Sequence, residues 1–319
     1  MTEHTGFAPS PVPAEPSPES ARLVKRLSGG RKMQERTKPH GLSLRLNRFA
    51  MQVVGQAWRS PKGAREARFG GVRGRFVSTS DTEAQRGVLL WVHGGAFVAG
   101  TPRMDQHLAA GFGEQLRIPA FVPRYRRAPE HPFPAAADDV LAAYKGLLAE
   151  GFAAPDIRVV AISAGGALVA GLLGDIGREG LPMPGAVLLL SPVLDLTAAT
   201  VRRTDAATRD PFISPDFVER TNLVYANGTP FTHPRLDLLG ADMRGWPPIL
   251  VQTGSLECVS GDAELLGSRM RAAGARCEIQ LWPGQIHGFQ FFKTPEGRAS
   301  IDYATKFLAV TRRGTASTE

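Results

Sequence analysis

From residue 86 onward, apolar residues come in short unbroken runs bounded by glycines and other turn-forming residues. Arg86–His93 (RGVLLWVH) is the first, followed by Ala120–Val122, Ile157–Ile162 (IRVVAI), Ala186–Leu190 (AVLLL), Ile249–Gln252 and Glu278–Leu281. Runs of this length without polar alternation predict strands buried on both faces. Helical spacing fills most intervals, over Asp105–Leu116, Ala135–Ala149, Ala164–Ile176, Asp262–Ala273 and Arg298–Thr311. Strand–helix alternation predicts an α/β fold with a mostly parallel sheet and helices on both faces. Between Asp195 and Trp246 the rhythm lapses into polar and helical sequence with prolines. That stretch reads as an insertion beside the strand ends, where open α/β sheets bind ligands.

The N-terminal part reads differently. Residues 1–20 are rich in Pro, Ser and Glu, hold almost no large apolar groups, and are expected to stay disordered. From Ser20 to about Trp58 the apolar spacing is loosely helical (Leu23, Val24, Leu27; then Leu42, Leu44, Leu46, Phe49, Val53). Breaks at Gly29-Gly30 and Pro39-His40-Gly41 divide it into at least two helices, expected to pack as a lid or cap on a domain that begins later.

Composition narrows the function classes. A chain of 319 residues, 43% hydrophobic and 21% charged, fits one soluble domain with insertions. No apolar stretch approaches the ~20 residues of a membrane span, and the first residues lack a secretory pattern, so a cytoplasmic location is expected. Much of the +8 net charge lies between Arg22 and Arg68. It is not interleaved with stacking aromatics, which favours a solvated basic face over a nucleic-acid site. Cys258 and Cys277 lack metal-ligand or CxxC spacing and read as free thiols; no histidine pair has zinc-ligand spacing, so no metal is expected.

Four features carry chemistry. Ser163 ends IRVVAI and is followed by Ala-Gly-Gly and a small-residue helix. A serine at a sharp strand-to-helix turn presents its hydroxyl above the sheet, with helix N-terminal N–H groups behind it; an ordinary N-cap is the plainer alternative. His93-Gly94-Gly95-Ala96-Phe97 follows another strand, and its glycines expose backbone N–H groups as an oxyanion hole requires. A simple strand-ending turn would look similar. His287, in WPGQIHGF, follows the last predicted strand and has the address of a general base. The acid that orients it should follow Ile249–Gln252, where Glu257 and Asp262 both stand. Glu257 is preferred because it lies in the loop, whereas an acid opening a helix is expected as a dipole partner.

Together HGGAF, YRRAPEHPFPAAADD, SAGG, SPVLDLT, WPPILVQTGSLE and WPGQIHGF resemble, in order and spacing, the hormone-sensitive-lipase-like (bacterial family IV) carboxylesterases. The likeness runs from about Val88 to the last helix. It implies an α/β-hydrolase fold, with an eight-stranded, mostly parallel sheet and a helical cap, and no cofactor. The expected organisation is a disordered segment over 1–20, cap helices over 21–68, a catalytic domain over 69–314 with a cap insertion at about 196–240, and a tail over 315–319. The resemblance also implies hydrolysis of short- to medium-chain acyl esters by a monomer or homodimer. Ser163 would be nucleophile, His287 base and Glu257 acid, with Gly94, Gly95, Ala96 and Ala164 shaping or donating to the oxyanion hole.

The chain departs from that family at Ala96, where a third glycine is usual, and at Ala161-Ile162, where Gly-Asp or Gly-Thr is usual. Losing one oxyanion donor typically costs ~10²–10³ in turnover. Two other functions stand beside the esterase: a hydrolase-fold binding protein or receptor, and a related dehydratase, amidase or lactonase. YRRAPEHPFPAAADD and Asp195 are expected to serve structure.

Overall fold

The computed structural model describes residues 10–57, 60–78 and 87–310. Residues 1–9 and the tail expected at 315–319 lie outside the described residues. Among those described, eight strands form one sheet: β1 (Ala64–Phe69), β2 (Val72–Val77), β3 (Val88–Val92), β4 (Ala120–Pro123), β5 (Ile157–Ile162), β6 (Ala186–Leu190), β7 (Ile249–Gly254) and β8 (Cys277–Trp282). Their order is β1-β2-β4-β3-β5-β6-β7-β8. The six apolar runs are the six parallel strands, β3 to β8.

Burial explains why those runs lack alternation. Along β3, Val88, Leu90 and Val92 face one apolar cluster while Leu89 and Trp91 face another. On the first face lie α5 (Ala135–Ala149), α6 (Ala164–Glu179) and α9 (Ser260–Ala272), through Val140, Tyr144, Leu168, Val169, Leu266 and Met270. On the second lie α4 (Pro102–Leu116) and α10 (Pro295–Val310), through Phe112, Phe307 and Leu308. Each fully buried Val, Leu or Phe contributes roughly 1.5–3 kcal/mol relative to exposure, so the sheet is held from both sides.

The boundary expected at residue 68 falls inside β1. Residues 64–68 are not cap helix but one arm of a hairpin, paired antiparallel with β2 from Ala64↔Val77 to Phe69↔Val72. β2 in turn pairs antiparallel with β4. β1 is an edge strand, so Arg65, Glu66 and Arg68 stay exposed and no continuous apolar run marks it. The Pro/Ser/Glu-rich start, expected to stay disordered, docks at its C-terminal end. Ser17 caps α1 (Pro18–Leu27) by accepting from the Ser20 N–H, and both serine hydroxyls donate to the Glu296 carboxylate on α10.

Two more helices precede the sheet, α2 (Gly30–Arg36) and α3 (Gly41–Ala57), and the insertion contributes α7 (Ala199–Thr208) and α8 (Pro215–Ala226). No helix among the described residues is long and apolar enough to cross a membrane.

Candidate active site

Ser163 occupies the junction of β5 and α6 with φ 55° and ψ −126°. A non-glycine residue held there costs about 1–3 kcal/mol, so the surroundings must impose it. They do so through backbone bonds: the Ser163 N–H donates to the Leu190 carbonyl at 3.0 Å, and the Ser163 carbonyl accepts from Gly166 at 2.8 Å and Val193 at 3.1 Å. Gly165 lets the helix start so close to the sheet, because a Cβ there would run into the Val92 and His93 carbonyls. The Ser163 side chain is left partly exposed at the top of the sheet.

The imidazole of His287 is held from the other side. Its Nδ1 lies 2.9 Å from Glu257 Oε2, and the Glu257 side chain is fully buried. The second carboxylate oxygen, Oε1, accepts from the Ser191 hydroxyl at 2.8 Å and from the Gly254 N–H. The Gly288 N–H donates to that same Ser191 oxygen at 3.2 Å. Asp262, the other acid considered, accepts instead from the Leu194 and Asp195 N–H groups at 2.7 and 3.0 Å. Burial pushes it up to about 7, against the pull of those donors.

Ser163 and His287 line one cavity of about 30 Å³. No hydrogen bond joins them among the described residues; catalytic bonds of this kind often tighten only with substrate bound. The walls are mostly apolar. Ala96 and Phe97 come from the glycine loop, Val193 and Val259 from strand-end loops, and Ile213, Phe217, Val218, Thr221 and Asn222 from the insertion.

The glycine loop divides into donors and supports. Gly95 has φ 119° and Ala96 φ 53°, so the alanine adopts a backbone conformation that glycine would adopt without strain. Among the described residues, the N–H groups of Gly95, Ala96 and Ala164 bond to no other backbone group, which leaves them available to a ligand. The Gly94 backbone lies beside the Asp105 carboxyl and favours its charged form. It packs so near the elbow that a Cβ on it would sit 3.2 Å from Ser163 Cβ.

Several supports escape a reading of sequence. Asp105 on α4 is buried, accepts from Trp91 Nε1 at 2.9 Å, and is pushed up to about 7 by burial, with the Trp91 and Gly94 donors opposing. Tyr125 stacks on His93 at 4.1 Å and donates its hydroxyl to the His93 carbonyl at 2.9 Å. Burial lowers His93 to about 3, which leaves its ring neutral. Arg127 donates to the Gly100 carbonyl and the Ala128 N–H to that of Phe97. YRRAPEHPFPAAADD therefore braces the glycine loop from behind, and its Asp139 holds Arg126. Asp195 accepts from the Thr197 and Thr200 N–H groups at the start of α7. Asp210, fully buried, accepts from the Cys258 N–H beside Glu257 at 2.9 Å. Among the described residues no three His, Cys, Asp or Glu side chains are grouped to hold a metal.

Known proteins resemble this chain in sequence and fold. The family described as "alpha/beta hydrolase fold" matches residues 89–291. An acetyl-hydrolase of Streptomyces hygroscopicus is 33% identical over 222 residues, 69% of this chain and 74% of that protein. An esterase of Acinetobacter venetianus is 28% identical over 246 residues, 76% of this chain and 80% of its own. Among solved structures, an esterase from the bacterial hormone-sensitive lipase family superposes with a TM-score of 0.82 at 29% identity, covering 93% of this chain and 99% of that one.

Proposed function

This chain belongs to the α/β-hydrolase family, on its hormone-sensitive-lipase-like branch, and from that premise we propose that it is a serine carboxylesterase working through Ser163, His287 and Glu257. One observation carries the residue assignment: Ser163, at a strained elbow, shares an apolar cavity with His287, whose Nδ1 is bonded to the buried Glu257. A hydroxyl becomes a useful nucleophile near neutral pH when an adjacent base accepts its proton, and the base needs a fixed tautomer.

His287 Nε2 takes the proton as Ser163 Oγ attacks the ester carbonyl. The resulting oxyanion is met by the N–H groups of Gly95, Ala96 and Ala164. The imidazolium, stabilised by Glu257, returns the proton to the departing alcohol as the C–O bond breaks. Water then attacks the acyl-enzyme by the same route, giving the acid and free Ser163. Ala96 keeps its N–H, so replacing the usual glycine does not remove a donor. Ala161 and Ile162, where the family has Gly-Asp or Gly-Thr, are both buried and make the flank of the nucleophile apolar.

The apolar walls of the cavity support a preference for short acyl groups. The cavity is about 30 Å³, with Ile213, Phe217 and Val218 closing its insertion side. Acetyl esters are therefore the expected preference, as the name of the Streptomyces relative also suggests. Helices α2, α3 and α8 form the cap, with Leu44 of α3 packed beside Ala96 and Val224. Purified protein is expected to release p-nitrophenol from the acetate ester faster than from longer esters. It should gain the mass of one phosphonyl group from a fluorophosphonate probe, and Ser163→Ala should lose both reactions. Undiminished turnover in that variant would remove Ser163 from the mechanism.

A further inference from the structure

The two sides of α3 meet very different surroundings. Leu44 is buried with Val98, Ala99 and Ala128. Arg48 donates to the Val98 and Ala128 carbonyls at 2.6 Å and pairs with Glu130 at 2.7 Å. These contacts fix the rotation of the helix. Its outer side carries Leu42, Leu46, Phe49 and Val53, which are 71%, 59%, 66% and 46% exposed. At about 100° per residue the four fall within an arc of roughly 60°, with Leu44 nearly opposite. Met33 on α2 is 62% exposed as well. Contiguous apolar side chains in water mark an interaction surface.

Charge selects the partner. Residues 30–57 contain Arg31, Lys32, Arg36, Lys38, Arg45 and Arg48 against Glu35 alone. Arg31 is paired with Asp205 and Glu35, and Arg48 with Glu130. Lys32, Arg36, Lys38 and Arg45 form no ion pair among the described residues. Arg45 flanks the apolar arc, about 70° from its centre line on the helical wheel.

We propose that α2 and α3 form a docking surface for an anionic lipid membrane, with α3 lying along the interface. Leu42, Leu46, Phe49 and Val53 would enter the acyl boundary, and the free Lys and Arg side chains would meet headgroup phosphates. This is the composition of an interfacial helix, apolar on one side and cationic around it. A second copy of the chain fits less well, since it would bring two strongly basic faces together. Docking would leave α3 between the lipid surface and the cavity, because Ala96 lines the cavity that holds Ser163 and packs on the inner, Leu44 side of the helix.

Co-sedimentation with vesicles tests this without relying on catalysis. The full-length protein should pellet with vesicles of equal parts phosphatidylcholine and phosphatidylglycerol, and remain in solution with phosphatidylcholine alone. Salt should weaken the binding, as screening requires. The Leu46→Glu/Phe49→Glu variant should bind at least tenfold more weakly, as should Arg36→Glu/Arg45→Glu. Both should keep wild-type turnover of soluble p-nitrophenyl acetate, which shows that they are folded. Absence of binding to the anionic vesicles would overturn the proposal, as would equal binding to neutral ones or binding unchanged in both variants. A dimer in sedimentation velocity that the Leu46/Phe49 variant dissociates would overturn it too, by assigning the face to a second copy.

Discussion

Replacing Asp105 with asparagine isolates a carboxylate that the fold keeps behind the glycine loop. The group is buried, moved from the ordinary 3.8 up to about 7 by that burial, with Trp91 and Gly94 donating to it. A raised acid supports folding while it stays protonated. Its contribution is complete below the unfolded value of 3.8 and is lost as pH climbs through about 7. Inside that window each pH unit is worth about 1.4 kcal/mol, so between pH 5 and pH 8 the wild type should lose roughly 2–3 kcal/mol from this group. Asparagine has no proton to release. Whatever it changes in hydrogen bonding is a constant offset at both pH values. Guanidinium unfolding of both proteins at pH 5 and pH 8 measures the difference. Mutant minus wild type should move in the mutant's favour by those 2–3 kcal/mol. Asp262, also at about 7, is present in both proteins and cancels. Parallel pH dependences would refute the claim that Asp105 is protonated in the native state near neutrality.

Three further outcomes follow from the site. Ser191→Ala removes a hydroxyl that donates to Glu257 and accepts from Gly288. A hydrogen bond to a charged group is worth about 1.5–3 kcal/mol, so kcat for p-nitrophenyl acetate should fall roughly 10- to 100-fold with little change in KM; an unchanged kcat would show that His287 needs no such support. Ala96→Gly relieves a φ of 53° and should raise stability by up to about 1 kcal/mol after the greater freedom of unfolded glycine is counted, read as a higher denaturant midpoint. A lower midpoint would mean that packing of the methyl outweighs backbone strain. Phe217→Ala opens the insertion side of the cavity. At about 0.8 kcal/mol per buried methylene, the butyrate-to-acetate ratio of kcat/KM should rise about tenfold; a constant ratio would place the acyl group elsewhere.

The parallel part of the sheet is legible in the sequence because burial on both faces removes polar alternation. IRVVAI and AVLLL admit few other readings. The β1–β2 hairpin is hidden for the opposite reason. Arg65, Glu66 and Arg68 stand exposed along the edge strand, and Arg75 within β2 is buried yet bonded to Gln106 and Glu66, so hydropathy shows no run. Gly70-Gly71 between Phe69 and Val72 is the signal that could have found it, as a two-residue hairpin turn. At the site, Ser163, His287 and Glu257 stand out by position after strands. Ser191, Asp105, Tyr125 and Asp210 do not, since each acts by bonding backbone or side chains remote in sequence, and no local spacing encodes that.

Strand order explains why Ser191 matters as much as it does. The elbow follows β5 and His287 follows β8, with β6 and β7 between them. Neighbouring strands are about 4.8 Å apart, so three steps separate the ends by roughly 14 Å, too far for a hydroxyl and an imidazole to meet. The His287 loop must therefore turn back over the sheet. Its path is fixed by bonds at successive strand ends: Leu256 N–H donates to the Gln285 carbonyl at 3.1 Å above β7, and Gly288 N–H reaches Ser191 at the end of β6. Ser191 is itself placed by donating its N–H to the Gln252 carbonyl of β7 at 2.8 Å. The same hydroxyl thus holds the returning loop and donates to the carboxylate that orients the imidazole. Loop position and imidazole orientation are tied through one oxygen atom, and that is why removing it should lower kcat while leaving the substrate cavity, and so KM, largely intact.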